Sequence, residues 1–172
     1  GLRIDRYSFW THWRVLADFI LPRRYKWLIT PNQAYRGTQI NQHIIDSTGT
    51  IAARTCASGL MSGLTSPTRP WFKLKVSGFT NGDSSHPVSL WLNECQTRMM
   101  RVFSVSNFYN AIAVVYFDLT VFGTAAMLMY EDDEDMIRCF NPCLGEFFLQ
   151  NDARMQAGVF AREFVRTIPQ IV

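Results

Sequence analysis

Apolar positions recur at helical spacing from the start of the chain. Phe9, Trp13, Leu16, Ala17 and Ile20 stand at i, i+4, i+7, i+8 and i+11, one face of a helix predicted over residues 3–21. Pro22 stops it, because a proline pushes the preceding residue out of the α region. Pro22 to Gly37 follows as a loop, punctuated by Pro31, Asn32 and Gly37. A second helix is predicted from about Thr38 to Met61, with Ile44, Thr48, Ile51, Ala52 and Thr55 on its face. It is rich in small residues: Gly49, Ala53 and Ala57 stand four apart, with Ala52, Cys56 and Gly59 beside them. A glycine inside a helix costs about 1 kcal/mol against alanine, so such a stripe suggests close approach of another backbone. That backbone belongs either to the same fold or to a neighbouring subunit, and the sequence leaves both open.

Gly63, Pro67 and Pro70 end this helix, and Trp71 to Val76 alternates as a short strand with Phe72, Leu74 and Val76 on one side. Asn81-Gly82-Asp83 reads as a turn, and Ser84 or Ser85 as the cap of a third helix with Pro87 in its first turn. Trp91, Leu92, Cys95, Met99, Val102 and Phe103 form its face, and the period continues through Phe108, Ile112 and Tyr116. A helix of more than about thirty residues is the expectation, a length suited to an extended architecture. Beyond Gly123 the period turns strand-like. Thr124–Tyr130, Met136–Phe140, Glu146–Leu149 and Val159–Val165 are four predicted strands, separated by turns at Glu131–Asp135 and Gln150–Arg154. Helices followed by strands make the fold class α+β: helices, one of them long, packed with an antiparallel sheet. The expected division is a mainly helical part over 1–122 and a β part over 123–172.

Composition narrows the class. Of 172 residues, 48% are hydrophobic and only 18% charged, which excludes a disordered chain. Four cysteines are too few for a disulfide-stapled module. The chain opens Gly-Leu-Arg without Met and closes on an unfinished element, and so reads as an N-terminal piece of a longer protein. The net charge of +3 is unevenly spread: residues 1–80 hold eleven Lys/Arg against three Asp/Glu, and residues 81–172 hold six against eleven. Such asymmetry suggests an anionic partner on one side, or simply an uneven solvated surface. Residues 111–129 are long and apolar enough to raise the question of a membrane anchor. Asp118 near their centre costs about 2.5–3.5 kcal/mol on insertion, so a buried helix running into a buried strand fits better.

No catalytic constellation assembles. A phosphate loop needs Lys-Ser/Thr after its glycines, and Gly59 and Gly63 have none. Ser62 lies in a sequence one residue off the Gly-x-Ser-x-Gly elbow, and it ends a helix where the elbow follows a strand. His12, His43 and His86 are scattered. Cys139 and Cys143 have the spacing of half a zinc site, but Cys56 and Cys95 stand apart on predicted helices. Glu131–Asp135 lacks the spaced oxygens of a calcium loop and reads as a solvated turn. Arg23-Arg24-Tyr25-Lys26-Trp27 interleaves cations with rings, as single-strand binders do, or is a basic loop whose rings pack inward. Trp71-Phe72 reads as a core anchor. No catalytic, cofactor-binding or metal-binding residues are assigned, and no DNA-contacting residue can be named. The expectation is a non-enzyme. A membrane-associated protein anchored by 111–129 and a small hydrolase using Ser62 or Cys143 are the alternatives.

Several blocks do carry a resemblance. They are Ile20-Leu21-Pro22, Asp46-Ser47-Thr48 with Ile51-Ala52-Ala53, Ala57 to Pro67 followed by Pro70 to Leu74, Val105 to Tyr109, Asp118 to Ala125, Pro142 to Leu149, and Arg162-Glu163-Phe164. In this order, across nearly the whole chain, they resemble the portal proteins, the head-to-tail connecting proteins of short-tailed, podovirus-type bacteriophages. Cys143 within the Pro-x-x-Gly-Glu block and the residues from Arg166 onward depart from the pattern. The resemblance implies a longer subunit that forms a dodecameric ring at one capsid vertex, with this segment in the outer wing. It implies capsid and scaffolding proteins, the terminase motor and tail adaptors as partners. It further implies passage of double-stranded DNA without sequence readout, no small-molecule substrate, and a place in the virion after assembly in the host cytoplasm.

Overall fold

The computed structural model describes Ile4 and residues 6–24, 44–76 and 86–163. Among the described residues four helices precede two β-hairpins: α1 (Tyr7–Phe19), a 3-10 turn (Pro22–Arg24), α2 (Thr48–Leu64), α3 (His86–Val105), α4 (Phe108–Phe122), β1 (Leu128–Asp132), β2 (Met136–Phe140), β3 (Phe147–Asn151) and β4 (Ala157–Arg162). The mixed α+β class therefore holds, but the strands form two separate antiparallel pairs, β1 with β2 and β3 with β4, where one sheet was expected.

Helix α4 is the centre. Its mean composition is strongly apolar, and Phe108, Ala111, Tyr116, Asp118 and Phe122 are all buried. Helix α1 lays Trp13, Ala17 and the following Leu21 against Phe122 and Leu144, with Trp10, Leu16, Phe117 and Val121 at the edge. The Trp13 indole donates to the Phe122 carbonyl at 3.2 Å. This satisfies one of the carbonyls that a helix end leaves open. Phe9, placed on the inner face by its spacing, is largely exposed and only stacks on Trp13 from outside. Gly123 ends α4 in the left-handed region at φ 74°, where a side chain would be strained.

Helix α2 corrects two expectations. Residues 44–47 are not helical, so the helix starts at Thr48; the predicted residues 38–43 lie outside the described ones. Asp46 accepts from the Thr48 amide and hydroxyl, the local bonding that makes Asp a helix-start residue. The inner face is also different. Ile51 is 59% exposed and Ile45 is 99% exposed, whereas Ala53 and Ala57 are buried. The small-residue stripe thus faces the chain's own core, against α4. Thr50 donates to the Ile20 carbonyl at 2.8 Å at one end, and Thr65 bonds the Tyr116 hydroxyl at 3.0 Å at the other. A Cβ on Gly49 would meet Ile20 at an ordinary 3.6 Å and one on Gly59 or Gly63 would meet nothing, so the alanines alone make the close contact.

Trp71–Val76 forms no strand. Its aromatic residues are captured instead: Trp71 stacks on Phe103 at 5.9 Å and on Phe108 at 6.2 Å, meets Phe72 edge-on at 4.8 Å, and donates to Tyr109 at 3.3 Å. Ring packing of this kind outweighs a weak alternation that, among the described residues, has no neighbouring edge to pair with. The long third helix is broken. It runs 20 residues to Val105, and α4 departs at 76° after Ser106-Asn107. The Asn107 side chain explains the break: its amide donates to the Cys139 carbonyl and its oxygen accepts from the Cys139 amide, both at 2.8 Å. The expected turn at 81–83 and cap at Ser84 or Ser85 lie outside the described residues.

The strand expectations are close. Met136–Phe140 agrees at both ends, β1 begins four residues later than expected and runs into the acidic segment, β3 is shifted by one or two residues, and β4 starts two residues early and ends at Arg162, short of the expected Val165. Residues 164–165 of the last expected strand are not described. The β3–β4 turn is organised by Asp152, which accepts from the amides of Arg154 at 2.8 Å and Gln156 at 3.0 Å.

Candidate interaction surface

The framework behind the surface is a set of buried charges. Asp118, on α4, points at Arg24 in the 3-10 turn. The Arg24 Nε donates to Oδ1 at 3.0 Å and Nη2 to Oδ2, and Nη2 also reaches the Pro142 carbonyl at 3.4 Å. Asp118 is the deeper partner, with 5% of its side chain exposed against 17% for Arg24. Burial pushes the Asp118 carboxyl above the ordinary carboxylate range, and the hydrogen bonds and charge of Arg24 pull it only part of the way back. Burial also opposes the Arg24 charge, but Asp118 offsets it and the net displacement is upward.

A second pair lies nearby. Glu146, buried in the loop before β3, accepts from Arg162 of β4, and its other oxygen is 3.4 Å from the Cys143 amide. The Arg162 guanidinium lies over the Phe140 ring at 4.3 Å. Arg6 completes the set. It donates to the Phe147 carbonyl at 2.7 Å and stands over Trp13, Phe147 and Phe148 at 5.3–5.7 Å. Burial lowers its pKa. These three arginines tie α1, the 3-10 turn, α4 and the second hairpin into one body. Arg24 and Arg162 do so as buried ion pairs, whose attraction is largely offset by the cost of taking both charges out of water.

Outside this body many large apolar side chains are exposed. Tyr7, Phe9, Val15 and Phe19 project from α1, Val88, Leu90, Trp91, Met99 and Val105 from α3, and Met129, Tyr130, Met136 and Phe140 from the first hairpin. Trp91 is 62% exposed. No described residue of α3 is buried, although its sequence has an apolar face. A shallow apolar cavity of about 210 Å³ lies between α2 and α4, lined by Ala57, Met61, Val114 and Phe117 with Arg54 at its edge. A contiguous exposed apolar patch marks an interaction surface, whereas apolar residues exposed singly are ordinary. The hairpin tip adds exposed Glu131, Asp133, Glu134 and Asp135.

The residues singled out from sequence are not brought together. Ser62 is exposed, its hydroxyl bonded to the Gly59 carbonyl at 3.3 Å within α2. Arg69 donates to the carbonyls of Ser62 and Gly63, at the end of that helix where a cation is favoured. Cys56 is exposed on α2, Cys95 is half-buried on α3, Cys139 is buried in β2 and Cys143 lies in the following loop. Burial pushes the Cys139 thiol up, away from thiolate chemistry. Among the described residues no group of three metal-ligating side chains occurs. His12 is exposed on α1; His43 and the side chain of His86 are not described. Of the basic aromatic loop, Arg24 turns inward to Asp118, and Tyr25 to Trp27 lie outside the described residues. Among the described residues no single helix is long and apolar enough to cross a membrane; the bent pair of α3 and α4 passes only on combined length and composition. The run 111–129 is not one helix, since Gly123 ends it.

Arg6 was missed in the sequence, and Arg24, Asn107 and Arg162 were noted only in the basic loop or in the blocks of the resemblance, without their structural roles. A signal for one pair was present: an aspartate alone in an apolar run requires a cation, and the nearest cations in the chain's first turn-rich segment were Arg23 and Arg24. The blocks quoted for the resemblance converge here. Leu21-Pro22, Asp118, Phe122, Pro142, Leu144, Glu146 and Arg162 surround the buried charges, and Val105–Tyr109 clasps β2.

Comparison with known proteins agrees. The family model described as bacteriophage head to tail connecting protein matches residues 1–172. The portal protein of Salmonella phage epsilon15 is 42% identical over 171 residues, which are 99% of this chain and 30% of that protein. The probable portal protein of Bordetella phage BPP-1 is 34% identical over the same length, again 30% of the relative. The chain thus spans about three tenths of the length of these relatives. A match over the full chain shows that the chain belongs to the bacteriophage head to tail connecting protein family.

Proposed function

We propose that this chain is the wing region of a structural portal subunit. In the full-length protein, copies assemble into a dodecameric ring at one vertex of the phage head, through which double-stranded DNA is packaged and ejected. The single observation that carries this is the 42% identity to a portal protein across 99% of the chain. The architecture supports it. A body fixed internally by buried ion pairs presents apolar side chains outward from α1, α3 and the first hairpin, as a subunit of a larger assembly does. Capsid and scaffolding proteins, the terminase motor and tail adaptors are the partners that go with this role. DNA passes as a polyanion without base readout, because phosphate contacts carry no sequence information. The mainly helical part over 1–122 and the β part over 123–172 act as one wing, first in the host cytoplasm and then in the virion, without enzymatic activity. Deletion of the full-length gene from its phage tests this. Heads that remain empty of DNA are the expected result; DNA-filled heads would refute it.

A further inference from the structure

The break between α3 and α4 has one local contribution, the Ser106 hydroxyl, which donates to the Phe103 carbonyl and accepts from the Phe108 amide, both at 3.4 Å. Neither Gly nor Pro stands at Ser106-Asn107, and the helical spacing of apolar residues continues across it. Helical hydrogen bonds run right up to it on both sides, Ser106 to Val102 and Ala111 to Asn107, both at 3.0 Å. Asn107, at φ −80° and ψ 13°, is roughly 55° in ψ from a regular helix. Tertiary contacts add to this local contribution at the 76° bend. Asn107 spends both ends of its carboxamide on the backbone of Cys139. Phe103 stacks on Phe108 at 4.4 Å, a pair that a continuous helix would place on different sides. Trp71 closes that stack from outside. Ahead of the bend, α3 has no buried residue to anchor it.

We infer that Ser106-Asn107 is a two-state hinge: the Asn107 clamp on Cys139 holds α3 bent, and its release lets residues 86–122 join as one continuous helix. The inference does not depend on the portal reading. At 1.5 Å per residue, straightening carries Leu90 and Trp91 through about 30 Å, moving the apolar arm relative to the body. A ligand or neighbour that favours either state shifts the balance.

The test is an intrachain distance in the full-length protein. Ketone-bearing unnatural residues at the exposed positions Leu90 and Leu119 take spin labels, and labelled protein is diluted with unlabelled. From helix rise, the two positions are about 33 Å apart when bent and about 43 Å apart when straight. The native protein is expected near the shorter distance. Asn107→Ala, which removes the clamp and installs the best helix former, is expected to raise the longer-distance population several-fold. Asn107→Asp, which keeps the acceptor and loses the donor, is expected to raise it less. A single distance near 33 Å in both folded variants would overturn the hinge. Where the alanine variant does not fold, the aspartate variant decides by the same criterion. Loss of the fold in both would also overturn it, since a straightened helix would have preserved the rest.

Discussion

Replacing Arg24 with methionine strips the buried Asp118 carboxylate of its paired cation while keeping the length of the stem. Two magnitudes set the outcome. Removing one partner of a buried pair costs about 3–5 kcal/mol, because the charge left behind has no water to return to. Here the residue left behind is the deeper one, 5% exposed against 17%, so the upper part of that range applies at neutral pH. The cost depends on pH in a definite sense. Burial already raises the Asp118 pKa, so the folded state holds this proton more tightly than the unfolded chain does. Stability from this group is therefore fully present below the ordinary carboxylate pKa and is lost as pH rises through the raised one. Without Arg24 the pKa rises further. The deficit of Arg24→Met should then shrink on acidification toward about 1–3 kcal/mol, the cost of a neutral carboxyl with lost hydrogen bonds. Asp118→Asn leaves the more exposed guanidinium, which can reach solvent, and should cost less than Arg24→Met at pH 7, with little change at pH 5. Urea unfolding of the single and double variants at both pH values, with unchanged slopes, measures all of this. An Arg24→Met deficit below about 1 kcal/mol, or one equal at the two pH values, would refute the reasoning.

The other predictions concern packing and backbone. Ala53→Leu should overfill the α2–α4 contact and cost about 1–3 kcal/mol in thermal or urea unfolding; an unchanged midpoint would place the stripe outside the core. Gly123→Ala, at φ 74°, should cost about 1–2 kcal/mol. Gly49→Ala meets Ile20 only at ordinary contact distance and should stabilise by about 0.4–1 kcal/mol. Trp71→Ala should cost about 2–4 kcal/mol, somewhat below a fully buried tryptophan because Trp71 is half-buried, and should be read by near-ultraviolet circular dichroism of the ring cluster.

What the sequence revealed and what it hid have physical causes. The first helix, the β1–β2 hairpin and the α+β order were legible because strong local periodicity and turn residues agree with the tertiary packing there. On α2 the bulky face was misjudged because bulk was taken as the sign of burial, while the small-residue stripe was rightly read as a close-packing face. Ile51 points to solvent, and the small residues Ala53 and Ala57 are the ones buried against α4. The strand at Trp71 and the unbroken third helix failed for one reason. Both depend on a contact more than thirty residues away, Trp71 with Phe103 and Phe108, and Asn107 with Cys139, which no local pattern encodes. The buried charges were half visible. Asp118 was noticed as an obstacle to membrane insertion, and its need for a partner was the unused clue.

The central claim is that this chain is part of a ring-forming portal subunit. Cryo-electron microscopy of the purified full-length protein tests it most directly. The account predicts closed rings of twelve copies around an open axial channel, with residues 6–163 in the outer part of each subunit. Monomers, open filaments, or this segment lining the channel would contradict it.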